Sequence, residues 1–314
     1  MSGEFSTNLK SDRGDQILNP PPNGPSASYR SEVWCFGRLV VKFFPKPLTK
    51  WLSRCGAVVY RIIRPRRKEV IVQNLLPAFD GDLRAANRAA NSLFRNFTAK
   101  LVDLWLYEIG RPVCINEWSG WEHFIKAQEQ NRGLLLVTAH LGTWELGAPF
   151  LKERGFKLLV LTQAEPKGLT ELRQASRARW GIETLVVGED AFAFIEVIKR
   201  LQEGATVALL IDRPPPSTEV IVELFGRPFG ASIAVAELAR ASGCAVLPVY
   251  ITQGPNGYKA KGLPAIEYDR RALGNREARR QMTQQIVSAL EPAIRQHIDQ
   301  WYNFIPVWKN SSKP

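Results

Sequence analysis

Residues 133–147, GLLLVTAHLGTWELG, narrow the possible architectures of this 314-residue chain more than any other stretch. Residues 134–138 form a short apolar run entered through the turn-like Asn131-Arg132-Gly133. A run of that length between turn signals reads as a buried strand, because buried helices are longer. His140 stands where the strand ends, and the chain then turns toward a helix that carries Glu145. Strand ends in open α/β sheets are where ligands bind.

The spacing from His140 to Glu145 has a geometric consequence. On a regular helix five positions rotate a side chain by about 140°, so the pair would not share a face. It works if His140 lies in the turn and Glu145 in the first helical turn. The carboxylate then reaches back to one imidazole nitrogen, fixes the tautomer and leaves the other nitrogen as a general base for a hydroxyl. The alternative is a strand-end histidine that caps a helix, with Glu145 placed favourably at the helix N-terminus. Spacing does not choose between them.

Several chemistries lack their signatures. Only three histidines occur, His123, His140 and His297, and no HExxH motif is present, which argues against a metal centre. GxSxG is also absent; the nearest look-alike, around Ser232, lacks the second glycine. Cys35, Cys55, Cys114 and Cys244 are scattered and read as free thiols of a reducing compartment. The formal net charge of +12 points to anionic partners: nucleic acid, anionic lipid or an acidic carrier protein. No zinc-finger or RNA-recognition consensus is found, so nucleic acid is not expected.

Residues 1–30, rich in Ser, Asn, Gly and Pro, read as a disordered tail without the apolar core of a signal peptide. Residues 31–68 read as a separate segment. Two apolar clusters, 33–44 and 51–63, are broken by Pro45 and Pro47 and interspersed with Arg38, Lys42, Lys46, Lys50, Arg54 and Arg61. Neither reaches the roughly 18 uncharged residues of a spanning helix. Their mixture of aromatic and basic residues suits helices lying in a membrane interface, and Arg64, Arg66, Arg67 and Lys68 suit an anionic leaflet. Amphipathic helices packed on the core are the alternative.

Residues 69–314 read as one domain. Residues 82–108 have a helical period that ends at Gly110, where Trp105 and Tyr107 read as packing residues. Short apolar strands are then expected at 134–138, 157–162, 184–187, 206–211, 220–224, 245–250 and 259–266. Helices are expected at 121–130, 169–180, 191–202, 232–241 and 276–297, with a loop at 225–230. His297 reads as solvent-facing. The aromatic tail Trp301, Tyr302, Phe304, Ile305 and Trp308 suits either a membrane interface or the core. The alternation defines an α/β fold with helices before and after it.

The block from His140 to Glu145 after GLLLVTA resembles the H-x4-D/E block of glycerolipid-type acyltransferases. More closely it resembles the bacterial late acyltransferases of lipid A biosynthesis, the lauroyl and myristoyl transferases. The likeness runs from around Val70 to Lys309. It takes in KEVIVQNL, Asp212 after a second apolar strand, Phe225-Gly226-Arg227-Pro228, GCAVLPV and the Trp-rich tail.

The resemblance implies a mixed sheet flanked by helices and a peripheral or monotopic protein on the cytoplasmic face of a bacterial inner membrane. It implies acyl transfer from acyl-acyl carrier protein or acyl-CoA, with no other cofactor and no metal, to a lipid A precursor or related glycolipid. His140 and Glu145 would be catalytic. Arg177, with Arg173 and Arg179 as fallbacks, would hold an acceptor phosphate or steady charge on the reacting oxygen. Asp212 would orient Arg177 or contact the acceptor; capping the Pro214-Pro215-Pro216 turn is its alternative. Phe225, Gly226 and Arg227 would lie beside the catalytic pocket. Arg213 stands where the family usually has glutamine, which leaves the acceptor open. A mannosylated or amino-acid lipid, a non-catalytic basic membrane-binding protein and a thioester hydrolase are the rival readings.

Overall fold

The computed structural model of the protein describes residues 30–309, apart from 112, 114, 131, 163–167, 187–190 and 255–256. The expected tail, save Arg30, and Cys114 lie outside the described residues. Nine strands follow in chain order among the described residues: β1 (Ile115–Ser119), β2 (Leu134–Thr138), β3 (Leu158–Thr162), β4 (Glu183–Val186), β5 (Thr206–Leu210), β6 (Glu219–Leu224), β7 (Arg227–Ser232), β8 (Ala245–Gly254) and β9 (Gly257–Gly262). Seven of them form one sheet in the order β1-β9-β8-β2-β5-β3-β4. Strands β8, β2, β5, β3 and β4 run parallel, β9 returns antiparallel to β8, and β1 lies parallel to β9. The result is a mixed sheet.

Strand β2 is buried at every position, as expected of a parallel strand covered on both faces. Its residues alternate between two layers. Leu135 and Val137 join Val207 and Leu209 in the larger core, which takes in α8 (Ala191–Gln202), α9 (Ala234–Ser242) and α10 (Arg276–Gln296). Leu134 and Leu136 face the opposite layer, against Phe124 of α5 (Trp121–Glu129) and Leu151 of α6 (Gly147–Glu153).

The helices before the sheet are α1 (Ser31–Phe43), α2 (Lys46–Ile63), α3 (Pro65–Leu75) and the long α4 (Leu83–Glu108). Asp82 caps α4 by accepting from the N–H groups of Arg84 and Ala85, and the chain leaves it through Gly110 at φ +82°. Trp105 packs edge-on against Trp34, and Tyr107 against Trp180, as packing residues should. Buried carboxylates of α4 hold the two N-terminal helices. Glu108 accepts from the Trp34 indole at 3.0 Å with Arg38 3.6 Å away, and Asp103 pairs with Lys46 and Lys50, each at 3.6 Å. The outward faces of α1 and α2 leave Phe36, Phe43, Trp51, Ile62 and Ile63 more than half exposed. Among the described residues no helix is long and apolar enough to cross a membrane.

Two local expectations are corrected. Residues 225–230 are not a loop: β6 and β7 form a hairpin closed by Phe225 (φ +52°) and Gly226 (φ +69°). Positive φ at both turn positions matches the twist of the flanking strands, which is why two residues suffice. His297 is half-buried against Tyr250 and does not face solvent freely. The aromatic tail docks on the core, with Trp301 and Tyr302 fully buried. Asn74 of α3, within the KEVIVQNL block, fastens it by donating to the carbonyls of Asn303 and Ile305 at 2.9 and 2.7 Å.

Candidate active site

Strands β2 and β5 pair in parallel, Leu134 opposite Thr206 and Thr138 opposite Leu210. His140 and Asp212 each stand two residues beyond the end of their strand, so the register itself brings them side by side. His140 Nδ1 lies 2.7 Å from Asp212 Oδ1, and the backbone N–H of His140 reaches both carboxylate oxygens at 3.0 Å. Asp212 Oδ2 also accepts from the Trp301 indole at 2.9 Å and the Asn303 amide at 3.0 Å. A carboxylate has about four acceptor sites, and these donors occupy them.

The carboxylate on Nδ1 assigns the proton to that nitrogen and leaves Nε2 as the basic one. The His140 side chain is 13% exposed and that of Asp212 1%, so the imidazole is reachable and its orienting group is sealed. Burial and the charge of Arg213 push the imidazole pKa below its ordinary value, against the pull of Asp212, so the ring is neutral at neutral pH. Burial raises the Asp212 carboxyl. The His140 charge and hydrogen bond, with Arg213 and Asn303, outweigh it and hold the group well below the usual carboxylate range.

The carboxylate partner expected from Glu145 is therefore supplied by Asp212. Glu145 lies in a 3-10 turn, Trp144–Leu146, and its carboxylate points to α4: Oε2 is 2.8 Å from Lys100 Nζ, and Oε1 is 3.6 Å from Arg173. Those two cations hold Glu145 below its ordinary pKa despite burial. Gly142, at φ +62°, makes this turn possible. A Cβ there would stand 1.8 Å from the Ile251 carbonyl oxygen, which accepts from the Thr143 N–H at 2.8 Å. Trp144 then stands edge-on to His140, ring centroids 5.0 Å apart.

Arg213 turns inward to the tail, donating from Nε to Asn303 Oδ1 at 2.7 Å and from Nη2 to the Tyr302 carbonyl. It braces the residue that braces Asp212. With its carboxylate occupied by His140, Trp301 and Asn303, Asp212 orients the histidine. Arg177 sits on α7 (Leu169–Arg179), one turn from Arg173 and half-buried, whereas Arg179 is exposed. Phe225 touches the site only from behind, edge-on to Trp301 at 6.3 Å. Gly226 and Arg227 are at the exposed hairpin tip. Among the described residues no group of three or more His, Cys, Asp or Glu could hold a metal ion.

Lys100, Trp301 and Asn303 escape a reading of the sequence alone. Lys100 had a signal: it falls in the stripe Leu93, Phe97, Lys100, Leu104, where the α4 period calls for an apolar residue.

At adjacent strand ends the α/β sheet presents a histidine oriented by a sealed carboxylate, an arrangement that can take a proton from a hydroxyl or water. The chain belongs to the bacterial lipid A biosynthesis acyltransferase family, whose profile matches residues 31–310. It is also similar to phosphatidylinositol mannoside acyltransferases. It is 26% identical over 191 residues to the protein of Mycobacterium tuberculosis H37Rv, covering 60% of this chain and 58% of that relative. To the protein of Mycolicibacterium smegmatis it is 23% identical over 189 residues, 60% of either chain. The matched region thus spans about three fifths of the length of these curated relatives.

Proposed function

We propose that the chain is a membrane-associated O-acyltransferase that moves a fatty acyl group from a thioester to a sugar hydroxyl of a mannosylated phospholipid. The observation behind this is the His140–Asp212 pair, 2.7 Å apart at neighbouring strand ends. Nε2 of His140 takes the proton of the acceptor hydroxyl, and Asp212 steadies the imidazolium that forms. The acceptor oxygen attacks the thioester carbonyl. The tetrahedral intermediate collapses, the C–S bond breaks, and the imidazolium returns its proton to the leaving thiolate. An ester and a free thiol result, with no acyl-enzyme needed. Arg177 and its neighbour Arg173 would receive the phosphate of the acceptor.

The relatives' names favour a phosphatidylinositol mannoside over a lipid A precursor, which the family description keeps as the second reading. The donor would be acyl-acyl carrier protein or acyl-CoA; the positive net charge suits either. The exposed apolar faces of α1 and α2, flanked by basic side chains, suit peripheral docking on the cytoplasmic face of an anionic inner membrane.

The test is acyl transfer by the purified full chain, with radiolabelled acyl-CoA or acyl-acyl carrier protein and vesicles containing either phosphatidylinositol mannosides or a lipid A precursor. A labelled mannoside product lost in His140→Ala, with vesicle binding retained, supports the reading. Transfer that survives His140→Ala refutes the base assignment, and label only in the lipid A precursor moves the acceptor to the second reading.

A further inference from the structure

Resting on the reading of His140 as the base, we propose that Lys100 is a positioning residue for the reaction: its buried ammonium clamps the turn from His140 to Glu145 and stands as a fixed positive charge beside the imidazole.

Lys100 projects from the middle of α4, and its side chain is 1% exposed. Burying a lysine so completely is costly unless its charge is matched, and the match here is specific. Nζ lies 2.8 Å from Glu145 Oε2 and 3.2 Å from the centre of the Trp144 ring, with the Tyr302 ring at 5.0 Å. Trp144 in turn meets His140 edge-on at 74° between planes. One ammonium therefore grips two consecutive residues of the turn, one of which props the imidazole. Apart from the Phe97 ring on its own helix, 5.7 Å away, the contacts of the ammonium are with the turn and the tail at the site. A lysine retained only for packing would not need this arrangement, since a buried ion pair is often replaced by apolar residues at no loss of stability.

The charges around the ring make the second half of the argument. Asp212 and Arg213 face His140 from the end of β5, and Lys100 faces it from α4. Lys100 itself is faced by Glu145 from the turn, Arg173 from α7 and Arg213. Burial, Arg213 and Lys100 disfavour the imidazolium, whereas Asp212 favours it. The balance leaves His140 unprotonated while it waits for the acceptor. Once the ring has taken the proton, the same positive charges favour its return to the thiolate. Burial outweighs Glu145 and brings Lys100 itself down to about 8, so it carries its charge at neutral pH.

The test is the pH dependence of kcat/KM for thiol release from a long-chain acyl-CoA, with phosphatidylinositol mannoside vesicles as acceptor. The variants are Lys100→Met, Lys100→Arg and His140→Ala, and folding is checked by thermal melting. Lys100→Met should lower kcat at least about tenfold with little change in KM. Its acid limb should move to higher pH by half a unit or more, roughly the effect of one nearby unit charge. Lys100→Arg, which keeps the charge, should leave the acid limb in place. Should Lys100→Met fail to fold, the double variant Lys100→Met with Glu145→Gln removes both members of the ion pair together and should show an upward shift in the same sense.

An acid limb that stays put in every folded variant without the ammonium overturns the proposal, even if kcat falls, since packing alone would do that. Wild-type protein that releases no more thiol than His140→Ala overturns the underlying base assignment, and the proposal with it. An intact contrast between those two, with an unmoved acid limb in the Lys100 variants, overturns the proposal alone.

Discussion

His140 and Asp212 form a unit in which each sets the state of the other. Asp212 holds one tautomer, and burial keeps the ring neutral, so under the proposed mechanism the base would be ready below the pH at which an ordinary histidine is. The sign follows directly. A base must be unprotonated to act, so kcat/KM rises with pH through the imidazole pKa and levels off above it. With that pKa depressed, the midpoint of the acid limb should lie below about 6.5, and a pH–rate profile checks it. Asp212→Asn should lower kcat on the order of 10³-fold, because the ring loses its fixed tautomer. Glu145→Gln should cost far less, about tenfold. Steady-state thiol release by the two variants decides which carboxylate serves the base, and a larger loss for Glu145→Gln would return that role to Glu145.

The turn after β2 is held from three sides. Leu141 bridges to Trp301, Gly142 to Ile251 of β8, and the Tyr302 N–H donates to the His140 carbonyl at 2.8 Å. Glycine is required at 142 because the Ile251 backbone fills the space of a side chain. Gly142→Ala should therefore destabilise the fold by more than about 2 kcal/mol, read from urea unfolding. Gly226→Ala makes the useful contrast. Its φ is also positive, +69°, but no heavy atom lies within 4 Å of a Cβ there. Only backbone strain opposes it, about 1 kcal/mol.

Helix α4 links distant parts of the protein. Glu108 and Asp103 hold α1 and α2, Lys100 holds the turn at the site, and Asn96 donates to the carbonyl and carboxylate of Asp299 just before the tail. Helix α2 runs along α4, from Lys46 beside Asp103 to Arg61 beside Asn91, and the exposed apolar faces of α1 and α2 carry no residue of the site. Replacing Phe43, Trp51 and Ile62 together with serine should weaken binding to anionic vesicles at least about tenfold, since each large apolar side chain withdrawn from water is worth roughly 1.5–3 kcal/mol. Vesicle sedimentation measures this. Turnover on detergent-dispersed substrates should stay within about twofold of wild type. Equal sedimentation of variant and wild type would remove these faces from the membrane contact.

Much of the α/β pattern was legible in the order of residues, because apolar period, turn chemistry and helix caps are local. Residues 134–138 read as a buried strand with His140 at its end, and the helical period over 82–108, stopped at Gly110, marked α4. The hairpin at Phe225-Gly226 is not legible in the sequence because phenylalanine rarely takes a positive φ. The partner of His140 was not legible. A carboxylate five residues away is near in sequence, but the tight turn at Gly142 sends Glu145 to Lys100. Asp212 is far in sequence, and the β2–β5 register puts it alongside. Both β2 and β5 end in an apolar run followed, two residues on, by a polar residue, yet nothing local says that they are neighbours. Parallel strands are joined by long crossovers, so sheet order is decided by how helices and strands bury their faces together. Sequence by itself determined that His140 stands at a strand end; the tertiary structure decided which carboxylate faces it, because only packing sets strand order.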